Sequence, residues 1–330
     1  MARNLITDVA DVRVGHAGSA ALGSGSTVVV FDAPVIGSVD VRGGGPGTRE
    51  TALLDPAQTV SGIDAIALSG GSAFGLDAAS GVQALMREIG RGFKVRTATV
   101  PIVPAAILFD LLSGGDKDWD RYPPYREFGY EAAKSAAVDF ALGSVGAGLG
   151  ATTATLKGGV GSASATTKGG VTVGALAVVN GVGTVTIGDG PHFWAAAFEQ
   201  NGEFGGLGSA PKVSASDLAI RVKGGPLMNT TIAVIATDAK LTKAECNRLA
   251  VMAQDGFARA IYPVHTPLDG DVVFAAATGR VALPDPILGL AELGMHAGNV
   301  MARAIARGVY EAKALPFPGA LPSWRDKFGR

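Results

Sequence analysis

Cysteine is almost missing from this chain: Cys246 is the one cysteine in 330 residues. That excludes an internal disulfide framework and a Cys-rich metal site, fits a reducing compartment, and places Cys246 in the core. Charge of one sign is missing too. With 28 Lys and Arg against 29 Asp and Glu, a net charge of -1 and no basic block, the chain lacks the electrostatic footprint of a nucleic-acid binder. No apolar run reaches the roughly 18 residues of a membrane span, and the opening "MARNLITDVADVRVGHAG" has no signal-peptide core, so a cytoplasmic location and no membrane partner are expected. The four histidines, His16, His192, His265 and His296, are scattered without HExxH-like spacing, so structural or capping roles are expected of them. There is no G-x-x-x-x-G-K-[ST], and the glycines at 146, 148 and 150 do not continue as G-x-G-x-x-G. No metal or organic cofactor is implied.

Glycine, by contrast, is abundant, with 48 residues interleaved among Ala, Val and Thr. Such interleaving points to tight turns and close backbone packing more than to disorder. Hydrophobic residues make up 47% of the chain, ample for a large core. "STVVVFDAPV", "DAIALSGG", "TTIAVIATDA" and "DGDVVFAAATG" predict buried strands, and the Gly-rich block from 143 to 190 predicts strands and turns. Helices are predicted to open at Ser72 and near Tyr130, over "LTKAECNRLAVMAQDGFARAI", and over "GLAELGMHAGNVMARAIARGVYEAK". Thr242 and Glu245 have capping-box spacing. Residues 199–218 read as the most linker-like stretch. Strands and helices in these proportions imply α/β layers.

Several patterns invite a chemical reading. "DKDWDRYPPYRE" has acids at the first, third, fifth and twelfth positions of a calcium loop, but Arg121 stands where the sharp turn needs glycine. Ser72 sits where a strand turns into a helix, yet its spacing is G-x-S-x-x-G rather than that of a hydrolase elbow, and a serine there is ordinarily an N-cap. Asn229-Thr230-Thr231 is formally a glycosylation sequon, without weight where no secretion signal is seen.

Thr230 has a more specific logic. A threonine hydroxyl needs a base beside it, and a free α-amine on the same residue, with a pKa of about 7.7 to 8.0, supplies one. That amine exists only if the Asn229–Thr230 bond is cut, which Thr230 itself achieves by an acyl shift from nitrogen to its own oxygen followed by hydrolysis. A bendable "KGGPLMN" in front and an apolar strand behind suit such a step. An ordinary loop entering a buried strand explains the same residues.

The stretches "DVRVGHA", "DVRGGGPGTRETALLDP", "LSGGSAFGLDAASGV", "GSVGAGLGATTATLKGGVGSAS", "ALAVVNGVG", "NTTIAVIATDA" and "LDGDVVFAAATG" occur in order along almost the whole chain. In these the chain resembles the L-aminopeptidase/D-amino-acid amidase-esterase family, which includes β-peptidyl aminopeptidases and nylon-oligomer (aminohexanoate-oligomer) hydrolases. The resemblance implies a four-layer αββα sandwich of the N-terminal-nucleophile type with its own connectivity. It also implies one domain spanning 1–330, autocleaved into chains 1–229 and 230–330. Thr230 becomes the nucleophile, as in the threonine branch with the nylon-oligomer hydrolases, and Asn229 the residue before the cut; adjacent Thr231 is the alternative. Asn180 matches the asparagine that supports the oxyanion, although Asn before Gly is also a turn signal. Asp269 and Asp271, at i and i+2, match the acidic pair beside the new amine, against a solvated Asp-Gly turn. Lys157 matches the lysine near the nucleophile, with Lys168 its competitor. Phe109 falls where relatives carry a supporting tyrosine.

The activity so implied is hydrolysis of small peptides or amides with a free amino group, or of linear aminohexanoate oligomers, by a homo-oligomer of four or more copies. An acyltransferase of the ornithine-acetyltransferase kind uses a similar self-cleaved threonine, and an uncleaved binding protein is the non-enzymatic alternative.

Overall fold

A computed structural model describes residues 2–223 and 229–329. The bendable Gly-Pro arm of the sequence reading, 224–228, lies outside the described residues. The strands are β1 (Val12–Ser19), β2 (Ser24–Val41), β3 (Thr48–Arg49), β4 (Gly62–Ser69), β5 (Phe93–Val95), β6 (Ala98–Val100), β7 (Ala105–Ile107), β8 (Val160–Thr166), β9 (Thr172–Val178), β10 (Ile232–Ala239) and β11 (Val272–Val281). The helices are α1 (Ala78–Glu88), α2 (Tyr125–Lys134), α3 (Lys243–Ala253), α4 (Asp255–Ala260), α5 (Leu288–Tyr310) and α6 (Trp324–Phe328). β5 and β6 form a separate hairpin; the others follow the order β3-β7-β4-β2-β11-β10-β9-β8, with β1 also on β2.

Strand alternation turns this path into four layers. Ile232, Val234 and Ala236 of β10 face a core shared with Val29, Phe31, Ile66 and Leu68 of β2 and β4. Ala233 and Ile235, on the other face of β10, pack with Leu249, Phe257, Val300 and Met301 of α3, α4 and α5. On the far side, Val28, Val30, Ala65 and Ala67 pack against Val82 and Ala132 of α1 and α2. The order is therefore helices, sheet, sheet, helices, the expected αββα sandwich. Long β2 joins its halves: one half pairs with β1 and β4, the other with β11, and the β4 register slips between Val30 and Val35. Pro34, which has no N–H for a ladder, lies in that slip. Because β10 is covered on both faces, its first five residues, Ile232 to Ala236, are a continuous apolar run rather than an alternating one.

Close backbone packing accounts for some of the glycine. A Cβ on Gly161 of β8 would stand 1.9 Å from the Ala304 carbonyl oxygen of α5, so helix and strand approach at a distance no side chain permits.

Four local expectations need correction. Ser72 does not cap a helix: Ser72–Asp77 is a 3-10 turn before α1, no side chain caps it, and Ser72 itself has a left-handed φ of 53°. The helix expected near Tyr130 starts at Tyr125, after Pro124. The helix after "LTK" divides at Gln254 into α3 and α4, although its Thr242–Glu245 capping box forms as expected. The linker-like stretch is anchored: Phe204 is buried, and Glu203, half-buried with its side chain largely covered, accepts from Arg303 Nε at 2.5 Å. A residue spacing cannot reveal that pairing, since its partner comes from α5.

Candidate active site

The registers Ile232↔Val272 and Ile232↔Val178 align the starts of β10 and β11 with the end of β9. Residues just outside those three points therefore share one edge: Asn229 to Thr231, Asp269 to Asp271, and Asn180. Asn229, Thr230 and Thr231 are all buried and stitched in place by main-chain bonds. Asn229 N donates to Leu268 O at 2.9 Å, Gly270 N donates to Asn229 O at 2.8 Å, and Thr230 N donates to Asn180 O at 3.0 Å. The Thr230 hydroxyl donates to the Asn229 carbonyl oxygen at 2.6 Å. Thr231, the alternative, has a buried hydroxyl with no hydrogen-bond partner among the described residues.

Both acids are buried at 1% exposure, which overrules the solvated turn. Asp271 Oδ1 accepts Thr231 N at 2.8 Å, and its Oδ2 accepts from His265 N at 3.3 Å and lies 2.8 Å from His265 Nδ1. Asp269 Oδ1 accepts Val182 N at 3.1 Å, and its Oδ2 accepts the backbone N–H and the hydroxyl of Thr266, each at 2.8 Å. Burial, followed by the charge of Asp271, raises the Asp269 pKa above its ordinary value, against the pull of those donors. The pair thus fastens backbone around Thr230: Asp271 holds Thr231 at the entrance to β10, and Asp269 holds the turn after Asn180.

Asn180 is fully buried. Its Oδ1 accepts Thr152 N at 2.9 Å and Lys223 Nζ at 3.0 Å, and its Nδ2 donates to Phe109 O at 3.2 Å. Phe109 contributes its backbone carbonyl here, and its side chain has no hydroxyl to offer. Lys157 is buried, its Nζ donating to the carbonyls of Gly148, Ala151 and Gly158 at 2.8, 2.7 and 2.7 Å. Those bonds use all three donors of an ammonium, while complete burial pulls its pKa down to about 7, with Asp110 opposing and Lys223 adding to the fall. Lys168 is exposed in the turn between β8 and β9, at the opposite end of β9 from Asn180. The structure therefore brings Thr230, Asn229, Asn180, Asp269 and Asp271 to one edge, with Lys157 beside them and Lys168 apart.

A cavity of about 270 Å³ opens on this edge. Lys157, Lys223, Thr152 and Asn229 line its polar side, and Phe109, Leu112, Leu315 and Leu321 its apolar side. No carboxylate is among the described lining residues.

Residues 4–319, nearly the whole chain, match Peptidase family S58. The chain belongs to peptidase family S58. Among relatives of this S58 chain, an uncharacterized aminopeptidase of Mycobacterium tuberculosis is 47% identical over 350 residues, covering 98% of both chains. A 6-aminohexanoate-oligomer endohydrolase of Kocuria sp. is 26% identical over 292 residues, covering 84% of this chain and 76% of the relative. The solved L-aminopeptidase D-Ala-esterase/amidase of Ochrobactrum anthropi, described as a variant of the Ntn hydrolase fold, superimposes with a TM-score of 0.69 at 20% identity, covering 98% and 91% of the two chains. The S58 chain is accordingly a hydrolase of peptide or amide bonds with an N-terminal-nucleophile-type fold. No helix among its described residues is long and apolar enough to cross a membrane.

Four residues of this edge escape sequence reasoning. Lys223 and His265 touch Asn180 and Asp271 from segments without a motif. Gly270 looks like turn punctuation until its N–H is found on the Asn229 carbonyl. Asp110, buried behind Phe109, accepts from Ser24 Oγ at 2.6 Å and Gly71 N at 2.8 Å, and burial raises its pKa. The Gly70-Gly71 pair beside Ser72 serves this contact.

Proposed function

We propose that the chain cuts its own Asn229–Thr230 bond and that the freed Thr230 hydrolyses small peptides or amides carrying a free amino group. The observation carrying this reading is the Thr230 hydroxyl 2.6 Å from the Asn229 carbonyl oxygen, with that oxygen also held by Gly270 N at 2.8 Å. A donor fixed on the carbonyl stabilises negative charge as it develops. Thr230 Oγ attacks the Asn229 carbonyl carbon, the C–N bond breaks, and the proton leaving Oγ ends on the α-amine. Water then opens the ester, giving an Asn229 carboxylate and a free Thr230 hydroxyl. In later turnovers the same hydroxyl attacks a substrate amide while the amine shuttles the proton, and Asn180 supports the oxyanion in self-cleavage and in turnover alike. Asp269 and Asp271 hold the surrounding backbone, and Lys157 ties three carbonyls beneath the cavity.

The name aminopeptidase on relatives at 47% identity supports this substrate class over aminohexanoate oligomers, whose hydrolases stand at 26%. Cytoplasmic location and assembly into a homo-oligomer of four or more copies remain parts of the proposal, as does water rather than a second amine as acyl acceptor. Intact mass spectrometry with N-terminal sequencing is the test. Two fragments beginning at residues 1 and 230, replaced by one intact chain in Thr230→Ala, support the reading; an intact wild-type chain after prolonged incubation overturns it.

A further inference from the structure

Lys223 has no task in the chemistry above, yet its Nζ lies inside the site. It stands on the segment leading to Asn229 and lines the cavity with Lys157. Its Nζ donates to Asn180 Oδ1 at 3.0 Å and to Thr152 O at 3.2 Å. Thr152 N also donates to Asn180 Oδ1, at 2.9 Å. An ammonium and a backbone N–H only donate, and the Phe109 carbonyl facing Asn180 Nδ2 only accepts, so three partners dictate which way the amide points. Flipping it would set its NH2 against two donors and its oxygen against a carbonyl. One Nδ2 hydrogen is then spent on Phe109, leaving the other for a reacting oxygen. A cation on the amide oxygen also draws electrons from nitrogen and strengthens the remaining N–H as a donor.

Drawing a lysine ammonium away from water is a costly way to achieve this. Burial lowers the Lys223 pKa to about 8, with Asp110 and Asp269 opposing the fall. A short neutral donor would hold an amide at less cost if orientation were the whole requirement.

We propose that Lys223 is a positioning residue that locks and polarises the Asn180 amide for oxyanion support. The proposal rests on the reading of Thr230 and Asn180 above, and the experiment separates the two. Self-cleavage is followed by intact mass for wild type, Lys223→Met, Lys223→Arg, Asn180→Ala and the Lys223→Met/Asn180→Ala double variant, with thermal melting alongside. A charged hydrogen bond of ordinary strength corresponds to a slowing of about tenfold or more in Lys223→Met. Lys223→Arg, which keeps a charged donor, recovers most of the rate. The double variant cleaves no more slowly than Asn180→Ala alone, because Lys223 acts through that amide. Wild-type cleavage in Lys223→Met, or an equal extra slowing in the Asn180→Ala background, overturns the proposal. If Thr230→Ala and Asn180→Ala both cleave normally, the underlying site reading fails instead. Should Lys223→Met melt far below wild type, Lys223→Gln carries the test: slow cleavage at an unchanged melting temperature supports the role, and unchanged cleavage overturns it.

Discussion

One methyl group at Gly270 probes the proposed nucleophile without removing it. An Ala Cβ at this position would stand 2.6 Å from Thr230 Oγ1, 2.6 Å from Gly45 O and 3.2 Å from Pro46 Cα. Ordinary contact needs roughly 3.5 Å, so something must give by the better part of an ångström. Gly45 yields poorly, since its N–H is held by Asp269 O at 2.8 Å. Thr230 is β-branched and stiff about χ1, so its hydroxyl moves only by leaving the Asn229 carbonyl or by dragging the strand entrance with it. A misplacement of about 1 Å costs on the order of 100-fold in rate. Overpacking adds about 1–3 kcal/mol of destabilisation. Gly270→Ala is therefore expected to fold, to melt somewhat earlier, and to self-cleave about 100-fold more slowly in a time course read by intact mass. Gly169→Ala is the control, because nothing lies closer than 3.5 Å to a Cβ there and its φ is ordinary. Cleavage of Gly270→Ala at the wild-type rate would refute the placement of the chemistry at this hydroxyl.

Two other perturbations separate stability from catalysis. Lys157 has a folded pKa of about 7 against an ordinary 10.5. Between those values the unfolded chain holds a proton that the folded chain has lost, so this group makes stability rise with pH across the window. Lys157→Met removes the rise: from pH 7 to pH 9 wild type should gain on the variant by up to about 2 kcal/mol in denaturant unfolding, and parallel profiles would contradict the lowered pKa. Ala320→Trp fills the cavity wall formed by the C-terminal segment. Hydrolysis of an added aminoacyl 4-nitroanilide should fall at least tenfold while self-cleavage continues unchanged, because the Asn229–Thr230 bond is already in place; undiminished hydrolysis would place substrate entry elsewhere.

How far these features were legible depends on the range over which they are encoded. β10 announces itself, because a strand covered on both faces reads as a near-continuous apolar run, here Ile232 to Ala236. The capping box of α3 lies within four consecutive residues, and the structure forms it as written. Ser72 misleads for the same local reason: strand, small residue and helix-like pattern are present, but the left-handed turn of Gly71 and Ser72 follows from Asp110, which accepts Gly71 N from far along the chain. Glu203 reads as part of a linker because the arginine that buries it is on α5. Lys223 and His265 carry no spacing signal at all. Each gains its place through one partner on another segment, which a periodicity cannot encode.

The acidic pair shows why residue identity and role must be argued separately. Two carboxylates in i, i+2 spacing suggested a shared target, and the structure does bring both to the edge at Thr230. Their oxygens, however, are taken by Thr231, His265, Val182 and Thr266. They tie down three segments, at residues 182, 231 and 265–266, around the Asn229–Thr230 bond, so a carboxylate here acts chiefly by fixing backbone. The same holds for Phe109, whose contribution to Asn180 is its backbone carbonyl. On the proposed chemistry a site assembled in this way places its oxyanion donors by fixing backbone, with Gly270 N on the Asn229 carbonyl and Asn180 held from three sides. Substitutions at the supporting carbonyls and carboxylates should therefore damage the reaction by displacing Thr230 and Asn180, even where the altered side chain never touches the reacting atoms.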